Sequence, residues 1–299
     1  TNGRLFIKDF ATNQPVITMY LFYPLKFITT NFFLSSRILV GVFNFFIFYL
    51  IFKCIFKNNK YFVILYILFY FIIFVSSNNI LYYSFEIRQW PIIYLLQLLL
   101  VFFIFKYSNN NQNYYIFIIG IILALLASSR QTYLVLFPIL FATIFFYDLY
   151  HKKINREIFN KYLYLILSFL ILISIFLRVL SYDLSFALGL WYLLDQSNHF
   201  SDHQISAQLS IFNQLLYFFG YQKEASGFSI ITLSSIFFYL YLVFVTFKKT
   251  NIFNLLVFII STTMIFATFY GWSHVYHKEV FYIVFVFFLL DNNNYKNKF

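Results

Sequence analysis

Residues 118–141 read IIGIILALLASSRQTYLVLFPILF, two apolar runs separated by five polar residues at 128–132. A transmembrane helix needs roughly 20 predominantly apolar residues, and each run together with its flanks approaches that length. Within lipid, every backbone N–H and C=O group must find a partner inside the protein, so such runs form helices. The stretch therefore predicts two antiparallel membrane helices joined by a tight turn.

The whole chain repeats this pattern. It has 299 residues, of which 62% are hydrophobic and 10% charged, whereas soluble domains average about 25% charged residues. This composition excludes a soluble enzyme and a disordered chain, and a single cysteine excludes a disulfide scaffold. The continuous runs argue against an outer-membrane barrel. We predict an all-α fold, a polytopic transmembrane helix bundle of about nine spans, at roughly 37–56, 61–77, 90–106, 114–129, 133–147, 162–180, 228–247, 252–270 and 278–290.

The charged residues predict which ends of the spans face the cytoplasm. Alternate loops form two sets, one with 12 Lys/Arg and three acids, the other with nine Lys/Arg and seven acids. The positive-inside rule places the more basic set in the cytoplasm. It also explains the net charge of +11 without nucleic acid, which is not an expected partner. We expect an integral, multi-pass protein of the cell membrane or endoplasmic reticulum, with its chemistry on the external or lumenal face.

The external segments divide the chain. Residues 1–36 form a first external loop with an interfacial, jaw-like helix, in which Pro15 suits a helix start. Residues 37–299 form the bundle, with a long external loop at about 181–227. Amphipathic pieces in this loop are too short to span and are typical of helices lying in the membrane interface.

Arg130 is the strongest single candidate for a functional residue. A tight turn explains it structurally, but that turn holds the side chain close to the bilayer, where ionisable residues often line a cavity. Its guanidinium suits phosphate or carboxylate recognition. Glu86 and Arg88 precede the span at Trp90. They are either interfacial anchors or an anion site at a helix start.

A second polar cluster holds His274, His277, Lys278 and Glu279. The two histidines share a helix face, yet this spacing matches no metal signature. An exposed polar loop remains an alternative, as does a rim with Lys278 beside a phosphate. No cofactor is expected, and a divalent metal is left open.

The first loop resembles a known family through a series of residues. These are Gly3-Arg4-Leu5-Phe6-Ile7-Lys8-Asp9-Phe10, Asn13-Gln14-Pro15, Tyr20, Pro24 and Arg37. The pattern is similar to the first external loop of GT-C glycosyltransferases, which include protein O-mannosyltransferases and aminoarabinose transferases. Arg130-Gln131-Thr132 also resembles this family, and an Arg-Gln-Thr run of dolichol-linked glucosyltransferases. Phe6 stands where the family commonly has Tyr, and Val16 where a second Pro is common.

The resemblance implies transfer of a sugar from a polyprenyl-phosphate-linked donor to a glycan, lipid or protein acceptor on the external face. Asp9 matches the family's Lys/Arg-Asp-Phe aspartate and is the catalytic candidate; its alternative is a solvated carboxylate paired with Lys8 or Arg4. The family's leading catalytic aspartate follows an earlier helix, so we expect either that the chain begins partway through a longer protein or that it is a degenerate relative without that aspartate. Donor phosphate binding is assigned to Arg130, Arg88 and Lys278, and sugar or acceptor binding to Glu86, Asn13, Gln14, Gln131, His274 and His277.

Two other functions remain open. One is a non-enzymatic membrane role, as a transporter or flippase of lipid-linked glycans or as a scaffold subunit. Transport would favour charged residues inside the spans, and the spans carry almost none. The other is a polysaccharide polymerase, which would favour basic pairs in two large external loops, whereas the long loop here is poor in Arg.

Overall fold

The structure is a computed structural model that describes part of the chain. The described residues are 27, 38–39, 41–43, 45–47, 49–50, 64, 90–110, 112–129, 131–151, 156–180, 221–222, 227–228, 230–269, 280 and 283–291. Nearly all of them are helical, which confirms the all-α prediction for this part of the chain.

Six helices are described in full. They are α1 (Trp90–Asn110), α2 (Asn113–Ser129), α3 (Leu136–Tyr150), α4 (Arg156–Leu180), α5 (Ile230–Lys248) and α6 (Ile252–Phe269). A 3-10 helix, Gln131–Val135, precedes α3. A C-terminal helical segment covers 283–291. Tyr221–Gln222 pairs antiparallel with Gly227–Phe228 just before α5.

The helix bounds agree with the expected spans but extend them at polar ends. Helix α4 begins at Arg156, six residues before the expected start. Ser128 and Ser129, expected in a turn, belong to the last turn of α2. Their hydroxyls donate to the carbonyls of Ala124 and Leu125 at 2.7 and 2.8 Å, so these polar groups are satisfied without leaving the helix.

Two described stretches are long and apolar enough to cross a membrane, Ile92–Asn110 and Tyr133–Tyr150. Shorter apolar helices cover Asn113–Ser129, Phe159–Ser174, Ser234–Lys248 and Ile252–Ile265. Nine spans therefore remain a prediction. The expected interfacial helix of residues 1–36 lies outside the described residues apart from Phe27, and most of the loop at 181–227 lies outside them as well.

Helix α2 lies at the centre of the described bundle. It packs between α1 and α4, while α6 packs against α3, α5 and α1. Eleven of the 17 residues of α2 are buried. Gly120, Ala124 and Ser128 recur every fourth residue on α2 and place small side chains along one face, a pattern that allows helices to approach closely.

Helices that follow one another along the chain run in alternating directions. Asp148 near the end of α3 pairs with Lys161 near the start of α4, and further inside the bundle Phe137 stacks on Phe169 with ring centroids 3.9 Å apart. Phe105 near the end of α1 contacts Phe253 near the start of α6 at 5.3 Å. Phe253 also stacks on Phe287 of the C-terminal helical segment. These contacts bring the ends of α1 and α3 and the starts of α4 and α6 to one end of the bundle.

We call this the basic end. It carries the described charged residues of the loops that the sequence assigned to the cytoplasm. These are Lys106, Asp148, Lys161, Lys248, Lys249 and Asp291.

The contact between α2 and α4 at Gly120 predicts a strong effect of a small substitution. A β-carbon at Gly120 would lie 2.8 Å from the Leu165 carbonyl oxygen and closer still to Ser168 Oγ. Gly120→Ala should therefore destabilise the protein by about 1–3 kcal/mol through overpacking. At an open helical position the same change would stabilise by about 1 kcal/mol. Thermal unfolding of the purified protein measures the sign.

A second substitution provides the control. Ser168→Gly removes the Ser168 atoms that the new methyl group would meet but leaves the Leu165 carbonyl in place. It should recover part of the stability lost in Gly120→Ala. A stabilising Gly120→Ala variant would show that α2 and α4 do not approach this closely.

Candidate functional site

Most of the residues assigned to the site from sequence lie outside the described part of the chain. These are Asp9, Asn13, Gln14, Glu86, Arg88, Arg130, His274, His277 and Lys278. Gln131 begins the 3-10 helix, and only its backbone is described. The structure does describe the framework on either side of Arg130, at the end opposite the basic end.

A buried polar contact anchors the chain just after Arg130. Tyr133, in the 3-10 helix, is fully buried, and Gln97 of α1 is 1% exposed. The Gln97 side-chain amide donates a hydrogen bond to the Tyr133 hydroxyl. This bond joins α1 to the 3-10 helix that leads into α3.

The amide of Gln97 is only half satisfied. Gln97 Oε1 is buried and has no hydrogen-bond partner among the described residues. An unpaired buried acceptor costs about 1–3 kcal/mol, so a native bundle seldom keeps one without a reason. This acceptor lies on the framework that adjoins Arg130.

A second polar cluster lies at the basic end and is fully paired. Asp148 accepts hydrogen bonds from Lys161 and from the Tyr162 hydroxyl, the latter at 2.7 Å. The side chains of Lys161 and Asp148 are 6% and 8% exposed. The Lys161 ammonium also lies 5.7 Å from the ring centre of Tyr107 and 5.2 Å from that of Tyr162. This cluster joins α1, α3 and α4.

Further polar contacts join the remaining helices at this end. The Tyr241 hydroxyl donates to Asp291 at 2.8 Å. Asn251 caps α6, because its side-chain oxygen accepts the Asn254 backbone N–H at 2.8 Å. The Asn254 side chain donates to the Lys249 carbonyl at 2.9 Å. These contacts hold the helices together at the basic end, where Asn254 Oδ1 is buried without a hydrogen-bond partner among the described residues.

No group of three or more His, Cys, Asp or Glu side chains comes together among the described residues. The described framework offers an amide, hydroxyls and a phenol near Arg130. These groups recognise neutral hydroxyl or amide ligands.

The sequence analysis did not select Gln97, Tyr133 or the Asp148–Lys161 pair. Gln97 lies within an apolar run, and Asp148 and Lys161 were assigned to a cytoplasmic loop. The polar residue types were visible at these positions, but their partners lie on other helices. Lys161 and Tyr162 lie 13 and 14 residues from Asp148 along the chain.

Comparison of the chain with protein-family models, with curated proteins and with solved structures gave no match. The GT-C resemblance therefore rests on the residues quoted from the sequence.

Because Asp148 and Lys161 form a buried ion pair, we expect the effects of their substitutions on stability not to be additive. Asp148→Leu leaves the Lys161 charge buried without its partner, and Lys161→Met leaves the Asp148 charge in the same state. Each should cost about 3–5 kcal/mol. The double variant removes both charges and should recover most of that loss. Denaturant or thermal unfolding of all four proteins measures the coupling.

Lys248→Met is the matched control, because Lys248 lies exposed at the same end of the bundle. Its effect should stay within about 0.5 kcal/mol. Additive losses in the double variant would contradict a direct Asp148–Lys161 pair.

Proposed function

We propose that this chain is part of a multi-pass membrane glycosyltransferase of the GT-C type. It transfers a sugar from a polyprenyl-phosphate-linked donor to a glycan, lipid or protein acceptor on the external or lumenal face. The observation that carries the proposal is the Gln97–Tyr133 contact. It joins α1 to the 3-10 helix that begins one residue after position 130, at the end opposite the paired charges.

Outward-facing apolar stripes support a membrane setting. On α5, Phe237, Leu240, Phe244 and Phe247 are between 60% and 82% exposed. Their spacing of three and four residues places them on one helix face. Helix α4 exposes a similar row at Phe159, Leu163, Leu167 and Leu170. Contiguous exposed apolar surface of this kind suits acyl chains better than water.

The distribution of charge supports the sidedness of the proposal. The described Lys side chains lie at the basic end, as expected for a cytoplasmic face. A polyprenyl-linked donor keeps its lipid in the membrane and presents its phosphate at the interface. Catalysis at the opposite end then needs cations held at that depth to stabilise the leaving phosphate. Arg130, Arg88 and Lys278 are the residues proposed for this role.

Proton transfer completes the proposed chemistry. When the acceptor hydroxyl or amine attacks the sugar's anomeric carbon, a carboxylate beside it assists removal of its proton. Asp9 is the proposed carboxylate. Glu86, Asn13, Gln14, Gln131, His274 and His277 are proposed to bind the hydroxyl groups of the sugar or acceptor, as polar side chains of these types can.

The sidedness can be measured by cysteine labelling. Cys54 is the sole cysteine of the sequence, so Cys54→Ala provides a cysteine-free background. Into it, Thr250→Cys places a thiol at the exposed start of the α5–α6 turn, and Thr132→Cys places one beside Arg130. In sealed right-side-out vesicles, a membrane-impermeant maleimide should label Thr132→Cys only. It should label Thr250→Cys only after permeabilisation. Labelling of both variants from the same side would contradict the topology.

Transfer activity tests the site residues. Arg130→Ala and Asp9→Asn, made in the full-length protein, should abolish sugar transfer from a polyprenyl-phosphate donor while the protein stays folded. Arg130 loss removes charge stabilisation of the leaving phosphate, and Asp9→Asn removes the proton acceptor. Release of radiolabelled sugar to the acceptor fraction measures turnover, and size-exclusion elution checks folding.

Two matched variants control for charge loss alone. Arg156→Ala removes an arginine from a loop assigned to the cytoplasm, and Asp202→Asn changes a carboxylate in the long external loop. Both should keep wild-type transfer. Wild-type turnover in Arg130→Ala and Asp9→Asn would contradict the roles proposed for Arg130 and Asp9. A full-length protein without transfer activity would favour the transporter or scaffold role.

A further inference from the structure

Besides Gln97 Oε1 and Asn254 Oδ1, a third buried polar atom has no hydrogen-bond partner among the described residues. Ser261 of α6 is fully buried, and its hydroxyl oxygen has no hydrogen-bond partner among the described residues. Other buried hydroxyls on these helices behave differently. Those of Ser128, Thr143 and Thr246 each donate to the carbonyl four residues earlier, at 2.7 Å. The Ser261 hydroxyl does not make that bond, so it is available to bind a polar group outside its own helix.

The helix register brings Ser261 to the level of Gln97. Phe105 of α1 and Phe253 of α6 are in contact at 5.3 Å, and α6 packs against α1. Gln97 lies eight residues before Phe105, and Ser261 lies eight residues after Phe253. At 1.5 Å per residue, both lie about 12 Å from that contact. Because the two helices run antiparallel, this is the same level of the bundle.

The helix that carries Ser261 also packs against the helices that the Gln97–Tyr133 contact connects. The Gln97 amide reaches Tyr133, which leads into α3. Helix α6 packs against both α1 and α3. Ser261 therefore lies on a helix that contacts both α1, which carries Gln97, and α3, which follows Tyr133.

From this juxtaposition we infer that Gln97, Tyr133 and Ser261 form a binding site for a neutral hydroxyl group within the bundle. The occupant donates its hydrogen to Gln97 Oε1 and accepts the hydrogen of Ser261. The site's own groups are an amide, a phenol and a hydroxyl, and an ion buried among them would lack a counter-charge. This favours an uncharged ligand.

Two sources supply such a hydroxyl, an ordered water and a hydroxyl of a sugar. A buried water typically makes about three hydrogen bonds to polar groups that otherwise lack partners. The sugar source rests on the proposed function, whereas the site itself does not, so the two are tested separately.

A double-mutant cycle tests the site without any substrate. The full chain in lipid nanodiscs is compared with Gln97→Met, Ser261→Ala and the double variant by thermal unfolding. If one hydroxyl bridges the two side chains, each single change should lower the apparent midpoint by about 2 °C or more. The double variant should fall little further, because the bridge is already lost.

A matched cycle uses Ser168→Ala in place of Ser261→Ala. Ser168 is also buried, but its hydroxyl donates to the Leu165 carbonyl at 3.1 Å. Its effect should add to that of Gln97→Met, as distant sites do. Additive effects in the Ser261 cycle, or a midpoint raised by Ser261→Ala, would overturn the site. Should Gln97→Met fail to fold, the direction of the Ser261→Ala shift decides alone.

A ligand arm then distinguishes the two sources. Undecaprenyl-phosphate-glucose and undecaprenyl phosphate are added to nanodiscs at equal concentration. A larger rise in midpoint with the sugar-bearing lipid, lost in Ser261→Ala and kept in Ser168→Ala, identifies a sugar hydroxyl as the occupant. Equal rises together with a coupled Ser261 cycle identify water. The unfolding midpoints of the cycle are measured before any ligand is added, so they test the site even in a protein without transfer activity.

Discussion

The described bundle depends on the close approach of α2 and α4 at Gly120. The absence of a side chain there lets Ser168 and the Leu165 carbonyl lie against the α2 backbone. Apolar helices gain little from the hydrophobic effect when lipid surrounds them, so close packing and polar contacts must hold them together. Because α2 holds α4 on one side and α1 on the other, Lys161 reaches both Asp148 of α3 and the ring of Tyr107. The remaining helices pack around this core.

Both ends of the bundle combine paired and unpaired polar groups. At the basic end, Asp148, Lys161 and Tyr162 satisfy one another, as do Tyr241 and Asp291. The Asn254 amide at this end and the Gln97 amide at the other end each donate one hydrogen bond and keep a side-chain oxygen unpaired among the described residues. Paired charges stabilise a fixed arrangement, whereas an unpaired buried group is costly unless a ligand satisfies it. Gln97 differs from Asn254 in its position, because it lies on α1 at the level of Ser261, whose hydroxyl is also unpaired among the described residues.

The sequence predicted most of the described helices but not their polar ends. The expected spans at 90–106, 114–129 and 252–270 correspond to α1, α2 and α6. Hydrophobic length alone ended the expected span before Asp148 and began the next after Lys161, because a lone charge is typical of a loop. Both residues are helical and buried, since each supplies the other's counter-charge. Helix α2 ends at Ser129, as the expected span does, and the Ser128 and Ser129 hydroxyls bond back to its own carbonyls.

Sequence by itself determined the helical class, the apolar character and the segregation of Lys and Arg into alternate loops, because these follow from composition and period. It also pointed to Arg130 as an unusual cation within apolar surroundings. Only the tertiary structure decided that Gln97 meets Tyr133, that Lys161 meets Asp148 and that Ser261 lies at the level of Gln97. Such pairings join residues far apart in the chain, and they depend on which helices are neighbours and in what register. Neither the neighbours of a helix nor its register can be read from the local sequence.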